Sequence, residues 1–215
     1  MSNKNITVFN EYAQEYDQWF DQHQAVFQSE IDALKKVSPT KGDGLEIGVG
    51  TGRFAAALGI KFGLDPSPAM LDIAKLRGIE TLEGVAESLP FERDSFDFVL
   101  LVTTLCFVYS PLVVLREVKR VLKSGGSLII GMIDKNSALG KIYEAKKQEN
   151  PFYRHAHFYS VDEINLLLNE LGFLQKEIYQ TIFSPLETIK KIEPVKPGYG
   201  EGGFVVIRAI NTLKG

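Results

Sequence analysis

Three glycines at alternate positions follow a short apolar run in the segment GLEIGVGTGRF, residues 44–54. Gly48, Gly50 and Gly52 lie where a buried strand would pass into a helix. Glycine permits positive φ angles and lets a ligand approach the backbone closely. The N–H groups that open the following helix would then face that ligand. The spacing therefore predicts a binding loop for a small molecule that lies against the main chain.

Three acidic residues lie within or just after three neighbouring predicted strands. Glu46 lies in the strand before the glycines, Asp65 ends the next apolar run, and Glu87 follows the third. In an open α/β sheet, ligands bind outside the carboxyl ends of the strands, where these side chains would meet. Asp65 is suited to accept hydrogen bonds from hydroxyl groups, and Glu46 favours a cationic, amine-bearing ligand over a pyrophosphate.

The elements that would position these residues alternate between strand and helix. Apolar runs predict strands at 44–48, 61–65, 79–84, 96–103 and 126–133, with helices at 52–58, 67–77 and 111–123. Such alternation implies parallel pairing with right-handed crossovers. We therefore expect an α/β fold of the Rossmann-like, doubly wound type, with helices on both faces of the sheet.

The last third of the chain predicts two more strands. Ser160 and Glu163 have the spacing of a capping box, which would begin a helix at 161–171. Strand-like segments follow at 173–183 and 204–210, and no helix-length apolar pattern separates them. Antiparallel pairing is therefore expected, which gives a mostly parallel, seven-stranded sheet with an antiparallel last strand.

The N-terminal residues 9–37 carry apolar and aromatic side chains at helical spacing, which predicts two helices that end before Ser38. We expect residues 1–215 to form a single domain. Within it, residues 1–40 would be a helical cap and residues 134–159 a lid-like insertion.

Composition narrows the class of protein. The chain has 215 residues, of which 45% are hydrophobic and 24% charged, as in ordinary soluble domains. A net charge of −3 disfavours a dedicated nucleic-acid binder. A single cysteine excludes an intramolecular disulfide framework. The polar start and the lack of a long apolar run predict a cytoplasmic protein without a membrane span.

Five segments agree in order and spacing with one known family. They are LEIGVGTGRFA, GLDPSPAMLDIA, GVAESLPFERDSFDFVLL, LREVKRVLKSGGSLIIGMID and FYSVDEINLLLNELGF. With these segments the chain resembles the class I S-adenosylmethionine-dependent methyltransferases, in particular the UbiE-like (type 11) group of small-molecule methyltransferases. The resemblance covers most of residues 9 to 183.

The resemblance implies S-adenosyl-L-methionine as cofactor and a set of residues to bind it. Asp65 would bind both ribose hydroxyls, and Ala86 and Glu87 would border the adenine ring and its exocyclic amine. Tyr12 and Tyr16 would lean over the cofactor from a cap helix. The implied cofactor-binding residues are Glu46, Gly48, Gly50, Gly52, Asp65, Pro66, Ser67, Met70, Ala86, Glu87, Thr103, Tyr12 and Tyr16.

Several of these residues, and three others with reactive side chains, also have a purely structural interpretation. Tyr12, Tyr16 and Met70 stand at helical spacings that are equally typical of core packing. Cys106 follows the fourth strand, where cytosine-C5 methyltransferases keep a nucleophile, but its neighbours differ and a buried, inert thiol is favoured.

Two histidines are candidates for a general base. His155 and His157 precede the capped helix, and histidine titrates near neutrality. No third ligand accompanies them, so no metal site is predicted. Asn150 begins an N-P-F-Y sequence that we interpret as a turn in the insertion. The sequence alone identifies no catalytic residue.

The predicted function is methyl transfer from S-adenosylmethionine to a small molecule that enters between the N-terminal helices and the insertion. A nicotinamide-dependent oxidoreductase shares the fold class, but Arg53 stands where its G-x-G-x-x-G pattern needs the third glycine. A non-catalytic module that binds the cofactor or a partner, and an RNA or protein methyltransferase, remain alternatives. The acceptor atom and the oligomeric state are not specified by these residues.

Overall fold

A computed structural model describes residues 3–212 of the chain, except for the side chains of residues 3–5, 175 and 176. The α-helices in this range are α1 Asn3–Glu11, α2 Ala13–Gln22, α3 Gln24–Lys35, α4 Arg53–Leu58, α5 Pro68–Leu76, α6 Pro111–Val121, α7 Ala138–Lys146 and α8 Val161–Glu170. The strands are β1 Gly44–Ile47, β2 Phe62–Asp65, β3 Glu80–Glu83, β4 Phe96–Val102, β5 Leu122–Ile133, β6 Phe173–Thr181, β7 Lys196–Pro197 and β8 Phe204–Asn211. Single 3₁₀ turns lie at Lys147–Glu149 and Leu186–Thr188.

The strands form one sheet in the order β3-β2-β1-β4-β5-β8-β6-β7. The pairs among β1 to β5 are parallel, and β8 runs antiparallel to both β5 and β6. The chain order reverses between β1 and β4, so the crevice for a ligand opens at the carboxyl ends of these two strands. The predicted sheet is confirmed, and the two-residue β7 adds an eighth strand at its edge.

The core has a layer on each face of the sheet, as a doubly wound fold requires. Successive side chains of β4 alternate between these layers. Val99 and Leu101 pack with α6 and α8, whereas Leu100 and Val102 pack with α3 and α4. A third, smaller cluster joins α1 to the loop after β4 through Phe9 and Phe107. The N-terminal helices are thus attached directly above the crevice.

The N-terminal segment contains three helices, and the prediction of two was wrong. The breaks fall at Tyr12 (φ −115°, ψ 27°) and at His23 (φ −120°, ψ 44°). Neither position carries the glycine or proline that usually marks a helix end. The backbone bond from Tyr16 N–H to the Tyr12 carbonyl, 2.9 Å, keeps the first two helices nearly continuous. A change of direction without a sequence signal is invisible to a periodicity argument.

The insertion at 134–159 contains α7, which the sequence did not predict. Ser137 caps this helix by accepting the Gly140 N–H at 2.9 Å. The predicted turn at Asn150 is confirmed, because its Oδ1 accepts the N–H groups of Phe152 and Tyr153 at 2.9 and 3.3 Å. The predicted capping box of α8 is also present, with Ser160 and Glu163 as partners. Within residues 3–212, no helix has the length and apolar character needed to cross a membrane.

Candidate functional site

The glycine loop after β1 has three positive φ angles, 71° at Gly48, 51° at Gly50 and 81° at Gly52. A methyl group on Gly48 would lie 2.5 Å from Thr104 Oγ1, so close packing beneath the loop requires this glycine. A methyl group on Gly52 would lie 3.1 Å from the Ala74 side chain. At Gly50 the nearest atom would be 3.8 Å away, so this glycine faces open space rather than the protein interior. Gly50 is therefore the position at which a ligand can approach the backbone.

Asp65 connects the end of β2 to the glycine loop. Its Oδ2 accepts the Gly50 N–H at 3.0 Å, and its Oδ1 accepts the Ser67 N–H at 2.9 Å. Burial raises the Asp65 pKa to about 6, although the two backbone hydrogen bonds act in the opposite direction. The carboxylate is thus held in one orientation, and each oxygen retains a lone pair for a ligand hydroxyl.

A pocket of about 370 Å³ lies between the glycine loop and the N-terminal helices. Its walls are formed by Phe9, Tyr16, Gly48, Gly50, Asp65, Met70, Val102, Thr103, Thr104 and Phe107. Six of these ten residues were among those implied by the resemblance. Phe9 and Phe107 were not, because a phenylalanine at helical spacing or after a buried strand is indistinguishable from a core residue in the sequence.

Glu46 lies outside the walls of this pocket and supports the loop from behind. Its side chain is buried and accepts the backbone N–H of Ala55 in the first turn of α4. Burial raises the Glu46 pKa well above its ordinary value, and the nearby Asp65 carboxylate adds to the rise. Its Oε2 has no hydrogen-bond partner within the described part of the chain.

Other residues implied by the resemblance border the pocket indirectly. The Ser67 hydroxyl donates to Asn10 Oδ1 at 2.7 Å, which ties the loop after β2 to α1. Glu87 accepts the Tyr109 N–H at 2.7 Å and so joins the loops after β3 and β4. Ala86 is buried in the main core, and neither Ala86 nor Pro66 lines this pocket. Tyr12 is 41% exposed and packs edge-on against Phe152, with ring centroids 6.2 Å apart.

A second cavity of about 850 Å³ lies on the other side of Tyr16 and Thr103, between α2, α3 and the 134–159 insertion. Tyr16 and Thr103 line both spaces, so the two are neighbours. Thr103 has a φ of 47°, a strained conformation for a β-branched residue. The cavity is lined by Glu15, Tyr16, Trp19, Phe20, Val26, Glu30, Phe54, Thr103, Ile133, Leu139, Tyr143, Asn150, Phe152, Tyr153 and Leu186.

The reactive side chains considered from the sequence take no place in these two spaces. Cys106 donates its S–H to the Thr103 carbonyl at 3.2 Å, and burial raises its pKa to about 12, so the thiol is inert at neutral pH. His155 and His157 are exposed and line neither cavity. Residues 3–212 contain no group of three or more His, Cys, Asp or Glu side chains arranged to hold a metal ion.

Fold and site together define a class. A sheet ordered β3-β2-β1-β4-β5, followed by a reversed strand, carries a glycine loop after β1 and a buried aspartate at the end of β2. This combination is that of the class I S-adenosylmethionine-dependent methyltransferases. The site fits such a cofactor, because Gly50 leaves open space beside a fixed, buried carboxylate.

Known proteins agree with this class. A family model described as a methyltransferase domain matches residues 45–130. An S-adenosylmethionine-dependent methyltransferase of Thermotoga maritima, described as a possible histamine N-methyltransferase, is 47% identical, has a TM-score of 0.93, and is matched over 96% of this chain and 99% of that one. An uncharacterized protein of Methanocaldococcus jannaschii is 52% identical over 204 residues, or 95% of this chain and 98% of the relative.

A more distant relative carries a specific activity. The demethylmenaquinone methyltransferase of Staphylococcus aureus is 26% identical over 219 residues, which covers 94% of this chain and 85% of that protein. The chain belongs to the class I S-adenosylmethionine-dependent methyltransferases, and its cofactor is S-adenosylmethionine.

Proposed function

We propose that this protein transfers a methyl group from S-adenosylmethionine to a small molecule held in the 850 Å³ cavity. The observation that supports this proposal is the shared position of Tyr16 and Thr103, which line both the cofactor pocket and the larger cavity. A molecule in the larger cavity would therefore lie directly beside the cofactor.

For the cofactor, we propose that Asp65 accepts hydrogen bonds from the ribose hydroxyls and that Gly48 and Gly50 admit the ligand to the backbone. Glu46 would hold the loop in place through α4. The bound cofactor supplies an electrophilic methyl group on a sulfonium. The chain's own part would be to position the acceptor and to exclude water, and good alignment alone is worth roughly 7 kcal/mol or more.

We propose that the helices within residues 1–40 act as a cap and that residues 134–159 act as a lid over a single domain. Two contacts support this assignment. Asn10 of α1 accepts the Ser67 hydroxyl at the cofactor pocket. Phe152 of the insertion packs against Tyr16 with ring centroids 5.6 Å apart. Acceptor entry would then require the two segments to separate.

The relatives do not by themselves identify the acceptor. One is described as a possible histamine N-methyltransferase and another as a demethylmenaquinone methyltransferase. A nucleic-acid acceptor is disfavoured, because no lysine or arginine in the described part of the chain lines the cavity. We therefore propose that the acceptor is a small molecule.

The test is thermal unfolding of the purified protein with S-adenosylmethionine, S-adenosylhomocysteine, NAD and NADP in parallel. A ligand at about 100 times its Kd stabilises the folded state by roughly 2.7 kcal/mol. We expect stabilisation by the adenosyl compounds alone, and loss of that effect in Asp65→Ala. Stabilisation by NAD, or an unchanged response in Asp65→Ala, would refute the assignment of the pocket.

Turnover separates an enzyme from a binding module. Incubation with cofactor and a broad panel of amines, phenols, thiols and quinones should release S-adenosylhomocysteine for at least one acceptor. Cofactor binding without release for any class of acceptor would favour the non-catalytic alternative.

A further inference from the structure

The wall of the larger cavity contains a carboxyl group with no basic side chain among the described residues to pair with it. Glu30 lies in the middle of α3 and forms part of the cavity wall. Within residues 3–212, no hydrogen bond or ion pair reaches its carboxylate. The residues on the opposite walls, from α7 and the turn that follows it, are Tyr143 and Tyr153. Glu30 is half-buried, and because a carboxylate that loses part of its hydration without gaining a partner is costly, its presence calls for a functional explanation.

The remaining walls are aromatic. Trp19 and Phe20 of α2, Phe54 of α4 and Phe152 of the insertion line the same space as Glu30. Aromatic faces attract cations through the ring quadrupole, and the attraction strengthens when the cation is desolvated. No lysine, arginine or histidine among the described residues lines the cavity. The walls thus attract positive charge and offer no cationic side chain to pair with an anion.

We propose, on the basis of the function proposed above, that the methyl acceptor is an amine that enters this cavity as an ammonium cation, paired with the Glu30 carboxylate and enclosed by aromatic rings. Glu15, at the exposed end of the cavity, adds negative charge along the path. An acceptor of this kind would place its nitrogen in the cavity that adjoins the cofactor pocket at Tyr16 and Thr103.

The titration of the cavity shows that an uncompensated negative charge is disfavoured there. Burial raises the Glu30 pKa from about 4.5 to about 8, so the carboxyl group of the empty cavity is largely protonated at pH 7, and an ammonium ion would favour its ionised form. Burial is also the main cause of the raised phenol pKa values of Tyr16, Tyr143 and Tyr153, to which the charge of Glu30 adds after that of Asp65 at Tyr16 and after the two other phenols and Cys106 at Tyr153. The groups that face Glu30 are thus phenols of three separate segments, together with the rim carboxylate of Glu15. An ammonium ion would relieve the repulsion among them.

Glu30 could also remove the proton that an ammonium ion must lose before its nitrogen can be methylated. An ammonium nitrogen has no free electron pair, so it must lose one proton before it can act as a nucleophile. The Glu30 carboxylate accepts that proton, and the N–H electron pair stays on nitrogen as the attacking pair. After the methylated amine leaves, the protonated Glu30 returns its proton to solvent. One proton is released for each methyl group transferred, and the charge balances.

Trp19 provides a direct readout that does not depend on turnover. It is the only tryptophan in the chain and it lies on the cavity wall. The protein is first saturated with S-adenosylhomocysteine, and calorimetry measures that binding. The saturated protein is then titrated separately with 2-phenylethylamine, 2-phenylethanol and 3-phenylpropionate at pH 7 while Trp19 fluorescence is recorded. These probes share size and ring but carry a positive, a neutral and a negative head group. We expect the amine to bind at least tenfold more tightly than the alcohol, and the acid not to bind.

Variants test whether the preference for the amine over the alcohol comes from Glu30. Glu30→Gln should lower amine affinity at least tenfold and leave the alcohol and S-adenosylhomocysteine unaffected, whereas Glu30→Asp should keep the preference. Asp32→Asn is the control, because Asp32 is on the same helix but outside the cavity and accepts a hydrogen bond from Gln28. Equal affinity for amine and alcohol, or an unchanged preference in Glu30→Gln, would overturn the proposal.

Two failures remain distinguishable in this design. If S-adenosylhomocysteine does not bind, the proposed function is wrong. If it binds but none of the three probes alters Trp19 fluorescence, the ammonium site in this cavity is wrong, and only the cofactor part of the proposed function stands.

Discussion

Arg53 and Asp17 form a two-bond contact that fastens the cap helix α2 to the start of α4. The Arg53 Nε donates to Asp17 Oδ1 at 2.9 Å and Nη2 donates to Asp17 Oδ2 at 2.8 Å. Arg77 donates to the same Oδ2 at 2.8 Å. Burial alone would raise the Asp17 pKa, but the hydrogen bonds from the two arginines hold it well below its usual range. The residue that breaks the dinucleotide glycine pattern is therefore the one that joins α2 to α4.

Arg53→Lys should weaken this attachment, because lysine keeps the charge but cannot donate two parallel bonds. Both partners are mostly buried, with side-chain exposures of 15% and 14%, so the loss should be about 1–2 kcal/mol of unfolding free energy. Urea unfolding with intrinsic fluorescence measures it. We also expect faster binding and release of S-adenosylhomocysteine, because the cap would open more often.

The exposed pair of Lys75 and Asp72 serves as the control for this prediction. Its side chains are 57% and 72% exposed, so Lys75→Ala should change stability by less than about 0.5 kcal/mol. If both variants lose the same unfolding free energy, the two parallel hydrogen bonds from Arg53 to Asp17 add no more stability than an exposed ion pair.

Gly50→Ala should abolish cofactor binding in a protein that still folds. The added methyl group would meet no protein atom within 3.8 Å, so it would project into the pocket where the cofactor binds. We expect at least a tenfold loss of S-adenosylhomocysteine affinity by calorimetry. Part of any stability loss comes from the positive φ itself, which costs a non-glycine residue roughly 1 kcal/mol.

Gly59→Ala isolates that backbone cost. Gly59 has a φ of 71°, and a methyl group there would have no neighbour within 4 Å. We expect Gly59→Ala to lose stability to a similar degree and to bind the cofactor normally. If Gly50→Ala binds as tightly as Gly59→Ala, the glycine loop does not contact the cofactor.

Prediction from the sequence succeeded where local chemistry and periodicity coincide. The strand that ends at Asp65 and the helix begun by Ser160 carry both an apolar period and an explicit boundary residue. It failed where tertiary contacts decide. The break at Tyr12 has no breaker residue, and α7 lies in a segment whose polar composition predicts a loop.

The two cavities also differ in how far the sequence predicts them. Glycine spacing and the carboxylate of Asp65 mark the proposed cofactor pocket along the sequence. The larger cavity is built from single residues of α2, α3, α4 and the insertion, and Glu30 among them has no local signal. A glutamate in a helix is ordinarily a solvated charge, so only the packing of four elements around it reveals that it faces an enclosed space.

Cofactor affinity should fall in mildly acidic solution because of Asp65. Hydroxyl groups donate to the ionised carboxylate, and burial raises the Asp65 pKa to about 6. Above this pH the affinity for S-adenosylhomocysteine should be constant, and below it the affinity should decline by up to about tenfold per pH unit. Calorimetry between pH 5 and pH 8 measures the profile. Asp65→Asn should bind weakly at every pH in this range, and a wild-type profile that is flat down to pH 5 would contradict the prediction.

Glu30→Gln should make the unliganded protein more stable in alkaline solution. The folded-state pKa of Glu30, about 8, lies above the unfolded value near 4.5, so the folded protein binds the proton more tightly than the unfolded chain. Stability is therefore unaffected below about pH 4.5, decreases as the pH rises toward 8, and stays constant above. Relative to wild type, Glu30→Gln should gain at least ~1 kcal/mol between these limits.

The difference between the two unfolding free energies isolates Glu30, because the other carboxylates with raised pKa values, Asp65 and Glu46, titrate alike in both proteins. Urea unfolding at pH 5, 6.5 and 8.5, without any ligand, gives this difference directly. Asp32→Asn should show no such dependence, since Asp32 is already hydrogen-bonded to Gln28. Saturation with 2-phenylethylamine should restore the lost stability of the wild type at pH 8.5 but not add to that of Glu30→Gln. A difference that stays constant with pH would show that the Glu30 carboxylate is solvated, and the ammonium site would then lose its physical basis.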